Sequence, residues 1–161
     1  MTDRLVKILS KEVELFETFL SLLQRQQELL VANDRDGLSA LTETLREKTI
    51  ESQLLNRQRE EEIERIKVVN AIEGDLNVTR LLELIDSTRA DQLTRLRDLV
   101  YSLHNKITRT RNQNALLINR SRESIARMME MLSRVNGPRP TYARDGANAA
   151  IGDNVVVDRS A

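Results

Sequence analysis

Only a few side chains in this sequence are suited to acid–base or metal chemistry. His104 is the single histidine, and it stands beside Leu103 in a segment whose apolar residues recur at helical spacing. A catalytic histidine needs an oriented partner, such as a carboxylate or a thiol. No such partner can be assigned to His104, so we predict that it lies on a helix surface or at a helix boundary.

A run of glutamates, "REEEIER" from Arg59 to Arg65, is the other candidate for chemistry. Neighbouring residues on a helix point in different directions, and no histidine or aspartate joins these carboxylates to complete a metal site. We therefore interpret the run as a solvated helix face with local charge pairing. Glu43 and Glu47 stand four residues apart, but that spacing recurs on any charged helix. Tyr101 is expected to pack against the protein with its hydroxyl in water.

The sequence motifs of common enzymes are absent. There is no phosphate-binding loop, no glycine-rich strand–turn–helix unit and no nucleophile elbow. We therefore predict that the protein is not an enzyme and that it uses neither a cofactor nor a metal.

The composition indicates long helices. Of the 161 residues, 40% are hydrophobic and 31% are charged, while aromatic residues contribute only 2%, a balance typical of helical bundles and coiled coils. The absence of cysteine favours a reducing compartment. No signal peptide is recognised, and no apolar run approaches the ~18 residues of a membrane span. The sequence thus predicts a cytoplasmic protein without membrane insertion.

The charges are balanced in total but unevenly placed. Residues 1–88 contain 12 Lys or Arg against 18 Asp or Glu, whereas residues 89–134 contain 10 against 4. A basic segment beside acidic ones favours internal complementarity, or attraction of an acidic partner. Because no excess charge remains and aromatic residues are not interleaved with the cations, we predict no nucleic-acid binding.

Apolar spacing predicts two long helices in the first half of the chain. The first covers residues 3–32 with Thr2 as its cap, and its two apolar rows make a face wide enough for more than one neighbour. "NDRDG" then forms a turn in which Asp34 or Asp36 caps a second helix over residues 37–72. Polar residues interrupt the stripe of this second helix, so its middle is expected to be wetter and looser.

A third helical region spans residues 78–135. Gly74 is predicted to end the second helix before it, and "NGPRP" ends the third region itself. The region is either continuous or broken near Thr88, where Ser87 or Thr88 would cap a fresh start.

These elements predict an all-α fold. We expect an elongated antiparallel bundle or coiled coil of three long helices over residues 1–135, followed by a mobile tail over residues 136–161.

The stretch "NQNALLINRSRESIARMMEML", from Asn112 to Leu132, has an interrupted apolar stripe. Asn114 and Ser121 stand within the stripe, and three methionines follow within four residues. A third helix of this length extends beyond what a hairpin of the first two can cover, since each residue adds about 1.5 Å. The stretch is therefore either ordinary core with methionine as filler or a surface for a partner helix.

Three segments together resemble the FlgN family of flagellar type III export chaperones. The first is the leucine-rich helix and acidic turn "FETFLSLLQRQQELLVANDRDGLSAL". The second is "NQNALLINRSRESI", which is similar to the family's segment of asparagines followed by two leucines. The third is "PTYARDG", which is similar to the family's tail motif of a tyrosine followed closely by a glycine. Arg144 departs from that motif, because a small or polar residue is usual there.

This resemblance implies an all-helical cytoplasmic chaperone that binds the C-terminal helices of hook-associated proteins, keeps them unassembled and delivers them to the export gate and its ATPase components. Tyr142 would contact that gate. The alternative is a structural coiled coil in which the third helix pairs with itself in a homodimer. The cargo-binding residues that the resemblance implies are Asn112, Asn114, Leu117, Ile118 and Ile125, and the same stretch adds Ser121, Met128, Met129 and Leu132.

Overall fold

The computed structural model describes residues 2–137, which form four α-helices. These are α1 (Asp3–Ala32), α2 (Arg35–Val69), α3 (Val78–Leu82) and α4 (Ser87–Val135). The predicted all-α fold is confirmed. Among the described residues, 2–124 belong to one compact unit and 125–137 to another. In this range none of the helices combines the length and the apolar character that a bilayer crossing requires.

α1 begins and ends where its sequence predicts. Asn33 ends it in the left-handed region at φ 54°, a conformation that asparagine tolerates. The expectation that the Thr2 side chain caps α1 is wrong, because its hydroxyl is buried without a hydrogen bond and only its carbonyl accepts from Val6 N. The wide buried face that two apolar rows predict is confirmed. Its buried members are Leu5, Ile8, Leu9, Glu12, Leu15, Leu23 and Leu29.

α2 begins earlier than predicted, at Arg35. Asp34 is the cap, and its Oδ1 accepts a hydrogen bond from Gly37 N at 2.9 Å. Gly37 therefore lies inside the first turn of α2, although glycine is a poor helix former. A Cβ at Gly37 would stand 2.7 Å from Asp34 Oδ2 and 2.8 Å from Leu29 Cδ2. The close approach of α1 and α2 at their turn thus explains the glycine.

α2 ends at Val69, before the predicted residue 72. The side chain of Asn70 donates to Ile66 O at 2.7 Å, and Ala71 follows with φ 50°. The chain has therefore left the helix before it reaches Gly74, which was predicted to end it. Gly74 instead adopts φ +80° in the loop that follows.

The third helical region is divided, which decides between its two predicted forms. Residues 83–86 separate the short α3 from α4. Asp86 Oδ1 accepts a hydrogen bond from Arg89 N at 3.1 Å. Asp86 therefore caps the long helix, rather than Ser87 or Thr88.

The main apolar core lies where the start of α1, the end of α2, the short α3 and the start of α4 meet. Full burial of a leucine or isoleucine side chain contributes roughly 1.5–3 kcal/mol, so this cluster is a principal source of stability. It consists of Leu5, Leu9, Ile66, Leu76, Leu81 and Leu93.

Polar contacts fix the direction of α4 against α1. Arg89 at the start of α4 forms an ion pair with Asp3 at the start of α1. Further along both helices, Asn114 of α4 donates to Leu23 O of α1. These two contacts require that α4 runs parallel to α1, while the tight turn makes α2 antiparallel to both.

Candidate functional site

Asn114 is the predicted site residue that the fold buries most, with 2% of its surface exposed. Its Nδ2 donates to Leu23 O and to Gln26 Oε1, each at 2.9 Å. Because both acceptors contact the Nδ2 group, they fix the orientation of the Asn114 amide. Asn114 Oδ1 is buried and has no hydrogen-bond partner among the described residues. A hydrogen-bonded amide within an apolar stripe sets the register of two helices, so Asn114 aligns α4 with α1.

The other predicted site residues of the first unit differ in exposure. Asn112 and Ser121 are exposed, while Leu117 is half-buried. Ile118 is 39% exposed. Of these five residues, Asn114 and Ile118 line a groove in the first unit.

That groove is an open cavity of about 460 Å³ between α1, α2 and α4. We call it the central groove. Its lining combines apolar side chains from all three helices with an equal number of polar ones, so the groove can both bury apolar surface and orient a partner through polar contacts. Its apolar lining residues include Phe16, Phe19, Leu23, Leu45, Ile107 and Ile118.

A second cavity, of about 750 Å³, adjoins the central groove. Phe16, Ser52 and His104 line both cavities, so the two are neighbours at these residues. Ser52 belongs to the middle of α2, where polar residues interrupt the apolar stripe. The expectation that this part of the helix is wetter and looser stays a prediction.

Glu12, which lines the second cavity, is a buried acid that the sequence reasoning missed. Its side chain is 3% exposed and pairs with Arg59 of α2 at 3.1 Å. Burial raises the pKa of the Glu12 carboxyl, and the charge and hydrogen bonds of Arg59 oppose that rise. A signal was available, because Glu12 stands four residues after Ile8 and three before Leu15 on the buried face of α1.

The second unit carries exposed apolar side chains at four predicted site residues. Ile125 is 49% exposed, Met128 and Met129 are each 63% exposed, and Leu132 is 50% exposed. Large exposed apolar side chains close together on one helix segment mark surfaces that contact other proteins.

The residues first considered for chemistry differ in how well they match their predicted positions. His104 is exposed on α4, as predicted, whereas Tyr101 is 72% exposed, so the expectation that its ring packs is wrong. Within residues 2–137 no group of three or more His, Asp or Glu side chains is placed to hold a metal ion. Tyr142 lies outside the described residues.

The glutamate run is only partly the solvated face that was predicted. Glu62 is buried, and both of its carboxylate oxygens accept hydrogen bonds from Arg65 at 2.6 and 2.9 Å. The predicted local charge pairing is confirmed by this contact and by a 3.5 Å ion pair between Lys67 and Glu64.

The fold and its exposed surfaces define a helical protein suited to contact with other chains. The model of the FlgN protein family matches residues 1–150, and the chain belongs to that family. No curated protein and no solved structure matches the chain. FlgN proteins are flagellar chaperones rather than enzymes, so the chain has a function of the flagellar export chaperone kind.

Proposed function

We propose that this protein binds the C-terminal helical segments of hook-associated proteins in the cytoplasm, prevents their premature assembly and delivers them to the flagellar export gate. Membership of the FlgN family supports the class of function. The observation that carries the proposal is the set of exposed apolar side chains at Ile125, Met128, Met129 and Leu132.

The proposed recognition has a simple physical basis. A C-terminal helix that has not yet been assembled exposes an apolar stripe, whose contact with water is unfavourable. Placing that stripe against apolar side chains of another helix removes both surfaces from water, which is favourable by roughly 25 cal/mol per Å² of apolar area. Methionine suits this task, because its unbranched side chain adapts to partners of different shape. One chaperone could therefore accept more than one hook-associated protein.

Residues of the first unit support the same role. Leu117 is half-buried and Ile118 is partly exposed, so both retain apolar surface for a partner. Asn114 holds this part of α4 against α1 through its two hydrogen bonds. The position of α4 is therefore fixed before a partner arrives, which lowers the entropic cost of binding. Asn112 and Ser121, both exposed, would contribute polar contacts.

Calorimetric titration tests the proposal. The full-length protein is titrated with C-terminal peptides of the hook-associated proteins from the same organism, and peptides of identical composition but scrambled order are the control. We expect saturable binding of the native peptides alone, with a negative heat-capacity change from apolar burial. Failure of every native peptide to bind protein whose helicity is intact would refute the proposal.

We also propose that Tyr142 contacts the export gate. The support is its position in "PTYARDG", the segment that is similar to the family's tail motif. Tyr142→Ala should then leave peptide binding unchanged while it reduces export of the hook-associated proteins in cells. Equal export by wild type and variant would remove Tyr142 from the mechanism.

A homodimer is the second candidate, because the same exposed side chains could pair with those of another copy. Sedimentation at micromolar concentration separates the two functions. A tight dimer that hook-associated peptides do not dissociate would favour a structural coiled coil, and a monomer that binds peptide would favour the chaperone.

A further inference from the structure

We infer that the central groove seats an acidic amphipathic helix of the partner, so that α1 and α2 contribute to recognition as well as α4. This inference rests on the proposed function and specifies the chemistry of the partner. Its two supports are the shape and apolar lining of the groove and the charge of the helix beside it.

The groove has the length and lining that a helix needs. Together with the second cavity it is bordered on α1 from Glu12 to Gln26. At 1.5 Å per residue this distance is about 21 Å, or about four turns of a partner helix. Phe16 and Phe19 supply aromatic apolar surface against which a partner side chain can pack. Both are only partly buried in the free protein.

The positive charge beside the groove favours a partner helix of negative charge. From residue 99 to residue 122 the sequence contains five Lys or Arg and no Asp or Glu. Arg111 lines the central groove, and no acidic side chain does so among the described residues. The second cavity is lined by two glutamates and two arginines, so the excess of positive charge lies at the central groove. Arg122 is exposed and follows Arg111 by eleven residues, which is about three helical turns, so it stands on the same face of α4. Carboxylates on the flank of a bound helix would meet these cations.

Asn114 adds a polar requirement at one end of the groove. It lines the groove, it is 2% exposed, and its Oδ1 has no hydrogen-bond partner in the described part of the chain. A buried acceptor without a partner is unfavourable. A hydroxyl or amide donor on the partner helix would satisfy it after a small local movement, which favours a helix that is not purely apolar.

A cysteine footprint tests where the partner binds, because the chain contains no cysteine of its own. Thr108 is exposed and lines the central groove, whereas Ser102 is exposed on α4 and lines a different depression. In T108C, hook-associated peptide at ten times its dissociation constant should slow alkylation by iodoacetamide about tenfold. In S102C the same peptide should leave the alkylation rate unchanged.

Charge reversal tests the sign of the partner. The pair R111E and R122E should slow association of peptide about tenfold at low salt, and the difference should shrink at high salt. The control pair K106E and R109E makes the same change in charge on the other side of α4, where Lys106 and Arg109 line the depression beside Ser102. It should slow association less.

The outcomes separate the two proposals. Peptide binding without protection of T108C, or equal slowing by both charge reversals, overturns the acidic helix in the groove and leaves the chaperone function standing. Protection of T108C that rises with protein concentration in the absence of peptide assigns the groove to a second copy and also overturns the inference. If no peptide binds to folded protein, both proposals fail.

Discussion

Nη1 of Arg59 on α2 lies 3.1 Å from each carboxylate oxygen of Glu12 on α1. The pair stands beside the second cavity, with Glu12 almost fully buried and Arg59 27% exposed at its side chain. Burial raises the pKa of Glu12, and Arg59 works against that rise. The guanidinium therefore offsets part of the cost of burying this carboxylate.

Removing one member of this pair should destabilise the protein more than removing both. Arg59→Met leaves a buried carboxylate without its cation, and we expect a loss of about 2 kcal/mol in the free energy of unfolding, which is below the range for fully buried pairs because Arg59 is partly exposed. The double variant Glu12→Leu with Arg59→Met should recover most of that loss. Urea denaturation of wild type, both single variants and the double variant measures the coupling. Additive single effects would contradict it.

Acid should weaken the fold through Glu62. The hydrogen bonds from Arg65 hold the pKa of Glu62 below its ordinary value of 4.5, and burial opposes them. Between the folded pKa and 4.5 the unfolded chain therefore binds more protons than the folded protein. The stabilisation by Glu62 is present above 4.5 and is lost as the pH falls through the folded pKa. Urea denaturation measures this loss. Wild type should have a higher free energy of unfolding than E62Q above pH 4.5, and the difference should become smaller as the pH falls.

Glu12 serves as a control in the same urea denaturation experiments, because its contribution to stability should change with pH in the opposite direction. Its folded pKa lies above its ordinary value of 4.5, so the folded protein binds more protons than the unfolded chain in that window. Its contribution is favourable at low pH and is lost as the pH rises through the folded pKa. Wild type should therefore gain stability relative to E12Q as the pH falls, the reverse of the comparison with E62Q. The same trend for both variants would contradict the opposed pKa shifts.

The helices could be predicted from the sequence where apolar spacing is regular. α1 has two mainly apolar rows, and its predicted bounds match the structure. The start of α2 could not be placed in the same way. Glycine propensity argues against a helix at Gly37, but the cap at Asp34 and the close contact with Leu29 outweigh that preference. The spacing of apolar residues along the sequence does not reveal tertiary packing at a turn.

The candidate site was less accessible to sequence reasoning. The spacing of Asn114 predicts that it faces the same way as Ile107, and both are buried on α4. It does not predict that the amide donates to Leu23 O of α1, because that contact depends on the alignment of two distant segments. The central groove was missed for the same reason. Phe16 and Phe19 line the groove, but their spacing in the sequence is that of ordinary core residues.

The cap at Asp34 should contribute measurably to stability. Asp34→Ala removes the acceptor for Gly37 N, and we expect a loss of about 1 kcal/mol in the free energy of unfolding. Asp36→Ala is the matched control, since Asp36 lies in the same first turn and can interact only with the helix dipole, worth about 0.5 kcal/mol. Thermal denaturation measures the loss of stability in each variant, and Asp34→Ala should lose more than Asp36→Ala. An equal loss of stability in the two variants would mean that the side-chain hydrogen bond of Asp34 adds nothing.

Partner binding should depend on Ile125 far more than stability does. Ile125 is 49% exposed, so Ile125→Asp should change the free energy of unfolding by less than about 1 kcal/mol. A carboxylate placed against the apolar stripe of a bound helix would lose its water without gaining a partner, and we expect about a hundredfold weaker binding of hook-associated peptides. Calorimetric titration measures the affinity, and circular dichroism confirms that helicity is retained.

The neighbouring variant Ala126→Asp separates a lost apolar contact from the general effect of a new charge. Ala126 is exposed and lies in the same segment, but its side chain points about 100° away from that of Ile125 around the helix. Because alanine is the strongest helix former, Ala126→Asp should cost at least as much stability as Ile125→Asp. It should nevertheless leave peptide affinity within about threefold of wild type, since it removes little apolar surface. If the two variants weaken binding equally, electrostatic repulsion explains the loss, and Ile125 is not part of an apolar contact with the partner.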